Sequence, residues 1–302
     1  MLTLSNVKKY FKKKKPTWNK VKDFFFPKYE RVEALKWISF QVEQWEKIAF
    51  IWPNGAGKST TIKAILGILH YDEGEITIFG KNPIKDRTQI SKSVASVFWQ
   101  RSQLLYHLPL KDSFEFFQII YDIPEKIYKT RLDRFIKKFK MEDFLNTPVR
   151  KLSLWQRMKG EIVVALLHGP KVIFLDEPTV WLDIIAKKVL YEILLDIHKE
   201  ENITIFLTSH DIKDVESLCD RAVVINEGNI LFDGKLDKLM QTYANQKIIK
   251  YKKRGEIDWE TIEIENNADL LEEQIRYIFD NYKIADLKVE NVSLEKIVEE
   301  FY

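Results

Sequence analysis

One cysteine, Cys219, stands in 302 residues, so no intramolecular disulfide can form and the chain suits a reducing compartment. No apolar run approaches the roughly 18 residues of a spanning helix, and no secretory signal is present. Any membrane role must therefore go through a partner. There is no internal repeat, and His70, His107, His168 and His198 show no metal-ligand spacing. Glycine is scarce as well: 10 of 302 residues, about 3% against an average near 7%.

Lysine and tryptophan are abundant instead. Of the 48 basic residues 38 are lysine, a skew typical of an A/T-rich genome, and there are 8 tryptophans. The net charge is only +3, and 45% hydrophobic residues supply a core for one large domain or two. Lys12 to Lys15, the only low-complexity patch, is followed by Phe24-Phe25-Phe26. This segment reads as a solvated loop or as a membrane-surface contact.

Alternation predicts a strand over residues 2–7, an irregular basic segment from Tyr10 to about Arg31, and a hairpin over Val32–Ile51. Thr61 to Leu69 has helical periodicity. Strands follow at 75–79 and 94–98, and from about 104 to 152 the pattern turns to helices punctuated by Pro109, Pro124 and Pro148. Ser153 caps a helix that stops at Gly169-Pro170. Val172–Leu175 is a continuous apolar run typical of a buried parallel strand. A helix over 186–199 and a strand over 204–208 complete an α/β alternation whose ligands belong at the strand carboxyl ends. Beyond about 243 the chain becomes charged: residues 246–302 predict two strands, a helix over 268–282, a strand and a terminal helix, a small α+β domain.

Ile51 to Thr60, Ile-Trp-Pro-Asn-Gly-Ala-Gly-Lys-Ser-Thr, is a phosphate-binding loop with one mismatch. The pattern G-x-x-x-x-G-K-[ST] lets bare backbone cradle phosphates while the lysine reaches the β and γ oxygens and the following hydroxyl ligates Mg²⁺. Trp52 stands where the first glycine belongs. Further along come Gln100 at a strand end, Leu152-Ser153-Leu154-Trp155-Gln156, the strand ending Asp176-Glu177, Leu182-Asp183, and Thr208-Ser209-His210-Asp211.

With these five elements in order, residues 2 to about 240 resemble the ATP-binding cassette (ABC) ATPases. The resemblance implies a RecA-like core with an antiparallel β subdomain and a helical subdomain at about 104–165. The nucleotide-binding domain would span 1–243, with residues 246–302 as an accessory domain. It also implies roles. Asn54, Gly55, Ala56, Gly57, Lys58, Ser59 and Thr60 would hold the phosphates of ATP. Ser59, Gln100 and Asp176 would serve Mg²⁺, Glu177 would polarise the attacking water, and Gln100 and His210 would sense the γ-phosphate. Tyr10 matches the aromatic that stacks on adenine, with Phe11 as the fallback and a half-buried structural tyrosine as the bland alternative. Ser153, Gln156 and Asp183 would act on the nucleotide of a second subunit, making the active unit a dimer.

Val97 to Leu104, Asp112-Ser113-Phe114 and Arg157-Met158 further resemble bacterial export-type subunits, cytoplasmic and peripheral on the inner membrane face, paired with separate permeases. No nucleic-acid partner is expected. The rivals are a non-hydrolysing regulatory subunit and a soluble cassette protein outside transport.

Trp37, Trp45, Trp52, Trp99, Trp155 and Trp181 all fall where this family carries glycine, whereas Trp18 and Trp259 cannot be classified. A non-glycine residue forced into a glycine conformation costs on the order of 1–3 kcal/mol. One replacement repeated at one residue type points to a decoding rule: UGA read as glycine by the source organism and written here as tryptophan. Six restored glycines make 16, about 5% of the 302 residues.

Overall fold

Three strands with nearly every side chain buried form the centre of the fold: Lys47–Ile51 (β3), Val172–Asp176 (β6) and Thr204–Ser209 (β7). Burial on both faces is the mark of an interior parallel strand. With Val94–Phe98 (β5), Arg221–Asn226 (β8) and Asn229–Lys235 (β9) they make a six-stranded sheet in the order β5-β6-β7-β3-β8-β9. The structure, a computed structural model, describes residues 1–14, 29–51, 58–98, 102–180, 182–209, 211–243, 246–255 and 258–291.

A second, antiparallel sheet sets Leu2–Lys14 (β1) between Tyr29–Val42 (β2) and Glu73–Ile78 (β4). Alternation drives Leu2, Leu4, Ile38, Phe40, Ile76 and Ile78 into one core. Phe40 stacks on Phe50, Phe50 on Phe206 and Phe206 on Phe174, with centroids 5.5, 5.4 and 5.0 Å apart. This aromatic file joins the two sheets, and each such pair adds about 0.5–1.5 kcal/mol beyond burial.

Two sequence expectations are corrected. Residues 32–51 are not a hairpin: β2 pairs with β1, while β3 pairs with β7 and β8 in the other sheet. β3, apolar from Ile48 to Ile51, needs neighbours on both edges and cover on both faces, which a surface hairpin cannot supply. Nor is the described basic segment irregular. β1 and β2 remain paired from Tyr10↔Glu33 to Lys14↔Tyr29, past the last β4 pairing at Lys8↔Glu73.

The turn between β2 and β3 holds Trp45 at φ 66°, and Trp37 within β2 lies at φ 56°. This left-handed region favours glycine. Both indoles are exposed, and the Lys8 ammonium lies 3.3 Å from the Trp37 ring centroid.

The helices are Lys58–Ile65 (α1), Arg87–Ser91 (α2), Leu110–Ile120 (α3), Glu125–Phe139 (α4), Leu154–Leu166 (α5), Ile184–Glu201 (α6) and Ile212–Leu218 (α7). Pro109 and Pro124 stand at the N-caps of α3 and α4, where a missing N–H costs nothing. Lys140 and Asn202, both near φ 50°, terminate α4 and α6.

The chain divides into compact units 1–233 and 234–302. The second contains Leu236–Tyr243 (α8), then Gln246–Lys253 (β10), Glu260–Glu265 (β11), Ala268–Asn281 (α9) and Ile284–Asn291 (β12). Its sheet runs β11-β10-β12, all antiparallel neighbours, over a small core of Ile249, Tyr251 and Ile278. The expected terminal helix lies outside the described residues. Among the described residues no helix is long and apolar enough to cross a membrane.

Candidate nucleotide site

Parallel strands end together, so the residues that follow them share one edge of the sheet. Register pairs Ile51 at the end of β3 with Ser209 of β7, and Asp176 of β6 with Thr208 of β7. The ends of β3, β6 and β7, and with them Asp176-Glu177 and Thr208-Ser209, therefore meet at one sheet edge, and α1 is the helix that follows β3 in the chain. Lys58, Ser59 and Thr60 open α1, whose first turn carries no acidic residue. A helix N-terminus without acids is a favourable place for phosphate. Asn54, Gly55, Ala56, Gly57, Gln100 and His210 lie outside the described residues, as do Trp52, Trp99 and Trp181.

Thr208 organises this edge. Its buried hydroxyl donates to Asp176 Oδ1 at 2.6 Å, and the Glu177 main-chain N–H donates to Thr208 O at 3.0 Å and Oγ1 at 3.2 Å. Glu177 is held at φ 52°, a conformation that costs a glutamate of order 1–3 kcal/mol and concentrates at functional sites. The Glu177 side chain lines a cavity of about 280 Å³ with Leu154, Met158 and Glu161 of α5.

Ser153 makes a capping box at the head of α5. Its hydroxyl accepts from Gln156 N at 3.1 Å, and its own N–H donates to Gln156 Oε1 at 2.9 Å. Asp183 caps α6, accepting from Ala186 N at 2.8 Å. The next residues, Ile184 and Ile185, are 85% and 77% exposed.

Tyr10 lies within the β1–β2 ribbon. Its hydroxyl donates to Glu73 Oε1 at 3.2 Å, and the Arg31 guanidinium sits 4.4 Å from its ring centroid. Phe11, the fallback, is 41% exposed beside Val32. Both aromatics thus belong to the ribbon and not to an irregular loop.

Behind this edge is a network that the sequence motifs did not flag. Asp214 of α7, 1% exposed, accepts from Thr179 Oγ1, from Ser209 Oγ at 3.1 Å and from Lys187 Nζ at 3.0 Å. Lys187 also reaches Asp211 at 2.6 Å. Burial alone would lower the Lys187 pKa, but the bonds to Asp211 and Asp214 outweigh it and raise the pKa. The only advance signal was an acid four residues after His210. Among the described residues no three His, Cys, Asp or Glu converge into a metal cage.

Fold and site define a P-loop-type nucleotide-binding α/β protein. A family model described as "ABC transporter" matches residues 35–180. The chain is 33% identical to the energy-coupling factor transporter ATP-binding protein EcfA of Methanocaldococcus jannaschii, covering 70% of this chain and 77% of that protein. It is 31% identical to the zinc uptake system ATP-binding protein ZurA of Listeria innocua, covering 73% and 87% respectively. A solved ATP-binding subunit of an ABC transporter superposes with a TM-score of 0.66 at 26% identity, covering 80% of this chain and 92% of that one. The chain belongs to the ABC transporter ATP-binding family and is an ATPase subunit of that family.

Proposed function

We propose that this chain hydrolyses ATP to drive export through separate integral-membrane permease subunits, docked peripherally on their cytoplasmic face. The observation that carries the reading is the meeting of the β3 end, Asp176-Glu177 and the Thr208-Ser209 strand end at one sheet edge. Export rests on the resemblance of Val97 to Leu104, Asp112 to Phe114 and Arg157-Met158 to export-type subunits.

In this reading Lys58 and the amides of Gly55 to Thr60 hold the β and γ phosphates, and phosphoryl transfer proceeds by positioning and charge stabilisation. Glu177 orients the attacking water and takes up its proton. Thr208 fixes the Glu177 main chain. Gln100 and His210 report on the γ-phosphate, and Tyr10 stacks on adenine. Ser153, Gln156 and Asp183 face the nucleotide of a second subunit, and the exposed Ile184 and Ile185 beside Asp183 supply apolar surface for that contact.

Hard oxygen donors, the Asp176 carboxylate with the Ser59 hydroxyl and the Gln100 amide, would suit Mg²⁺, which takes few protein ligands besides substrate phosphates. When bound, the ion neutralises charge developing on those phosphates. Residues 246–302 form an accessory domain.

The tryptophans at positions 37, 45, 52, 99, 155 and 181 are glycines in the protein that the cell makes, UGA being its glycine codon. The positive φ of Trp37 and Trp45 supports this. Sequencing the gene decides it: UGG at positions 52 and 155 refutes the codon reading. The all-glycine chain should hydrolyse ATP, and Glu177→Gln should lower kcat about 10²–10⁴-fold while ATP binding persists. Equal activity of the tryptophan and glycine chains would refute the steric objection to Trp52. Transport assayed in everted vesicles with the permease should show movement away from the cytoplasmic face, and the opposite direction would make the protein an importer.

A further inference from the structure

Glu161 is a carboxylate in the middle of α5, eight residues after Ser153, and only 7% exposed. Its Oε1 accepts from the Ser102 hydroxyl at 2.5 Å and from the Gln103 main-chain N–H at 3.0 Å, and Oε2 lies 3.2 Å from the same N–H. The Gln103 side-chain amide donates in turn to Ser96 O of β5 at 2.8 Å. An unbroken chain of hydrogen bonds thus runs from the parallel sheet through residues 102–103 to the helix.

The preceding residue makes that approach possible. A Cβ on Gly160 would lie 2.8 Å from Leu110 Cδ1 and 3.1 Å from Leu104 Cδ1, so glycine lets these leucine tips close over α5 without being pushed aside. Burial pushes the Glu161 carboxyl up, while the Ser102 and main-chain bonds and the charge of Arg157 pull it back.

As packing, a buried carboxylate is a poor choice. An apolar residue of similar volume in place of a buried charged group is often neutral or stabilising. What an apolar residue cannot do is tie a loop to a helix.

The loop concerned starts two residues after Gln100, and the helix begins at the Ser153 capping box, about 12 Å along the axis from Glu161 at 1.5 Å per residue. We propose that Glu161 is a positioning residue that clamps the segment after Gln100 to α5, so that a cassette's own γ-phosphate sensor and its Ser153 contact to the opposite nucleotide move as one body. This rests on the roles assigned above to Gln100 and Ser153.

The test uses the full chain with glycine at the six tryptophan positions, and Glu161→Leu and Glu161→Gln in it, each with and without Gln100→Ala. Glu161→Leu should keep or raise Tm while lowering kcat about tenfold, with KM for ATP within about twofold. Glu161→Gln should fall between. In the Gln100→Ala background the loss on Glu161→Leu should shrink to less than about twofold, because residues acting as a unit are non-additive. Amide hydrogen exchange at 102–104 should be faster in Glu161→Leu and, in the parent, should slow when ATP and Mg²⁺ are added.

Unchanged kcat in Glu161→Leu, or the same fold loss in both backgrounds, overturns the coupling. A fall in Tm that accounts for the lost activity makes Glu161 a stability residue and overturns it also. A parent with neither turnover nor an ATP-dependent change in exchange overturns the functional reading itself, whereas an active parent with unaltered exchange in Glu161→Leu overturns this inference alone.

Discussion

Glycine at Trp45 should stabilise the larger unit, against the usual direction of point substitutions. Its φ of 66° costs an L-residue about 1–2 kcal/mol. Glycine returns about 0.5–1 kcal/mol of that through the freedom of the unfolded chain. The indole is 60% exposed, so little burial is lost, and the net gain is about 0.5–1 kcal/mol.

Trp37, at φ 56°, carries the same strain, but its ring holds the Lys8 ammonium at 3.3 Å. That contact, worth about 0.5–1 kcal/mol at an exposed site, cancels most of the gain. Trp155 is the control. It is the second residue of α5, near Lys159, whose ammonium is 5.0 Å from its ring, and glycine in a helix costs about 0.5 kcal/mol more than tryptophan.

Thermal melts followed by circular dichroism should therefore rise by about 1–4 °C for Trp45→Gly and for the double variant with Trp37→Gly. They should fall by about 1–2 °C for Trp155→Gly, on the scale of about 2–4 °C per kcal/mol for a unit of this size. A fall for Trp45→Gly as large as that for Trp155→Gly would refute the strain reasoning and remove the structural support for glycine at these positions.

Two further outcomes are expected. Burial, with the imidazole stacked 4.0 Å from the Tyr121 ring, holds the His168 pKa down to about 4 from 6.5. The unfolded chain binds the extra proton in this range, so stability is level above about pH 6.5 and falls as pH drops from there toward 4, by up to about 3 kcal/mol. Urea midpoints at about pH 7 and pH 5 should converge in His168→Gln, and an undiminished difference would contradict the assignment. Asp214→Ala strips the acceptor from Thr179, Ser209 and Lys187 and should cost about 3 kcal/mol in equilibrium denaturation, with Asp214→Asn losing about half as much. A loss under about 1 kcal/mol would mean that water replaces the network.

Runs that carry their own pattern were legible. Val172–Leu175 is apolar throughout and lies as a buried parallel strand, and Ser153 with Gln156 three residues on is the capping box that opens α5. The C-terminal order of two strands, a helix and a strand is present, and the helix over Ala268–Asn281 lies within a residue of the expected 268–282. The hairpin over 32–51 was misread because alternation shows which face is buried but not which strand lies alongside. Only the sheets, joined through Phe40, Phe50 and Phe206, assign β2 and β3 to different partners. The ribbon reaching Lys14 was missed because paired basic strands carry no apolar alternation.

Sequence alone determined the family and the chemistry, because phosphate binding and water activation demand particular residues at short, local spacings: Lys58 after its loop, Glu177 after its strand, Ser153 at its helix head. Only the tertiary structure decided what holds them. Thr208 under Glu177, Asp214 between Thr179 and Lys187, and Glu161 against Ser102 and Gln103 are contacts between residues 27 to 59 positions apart except where α7 folds back on Ser209. No short-range pattern records such pairs. The left-handed φ of Glu177 and Trp45 belongs to the same class, since strain is visible only when the surrounding fold imposes it.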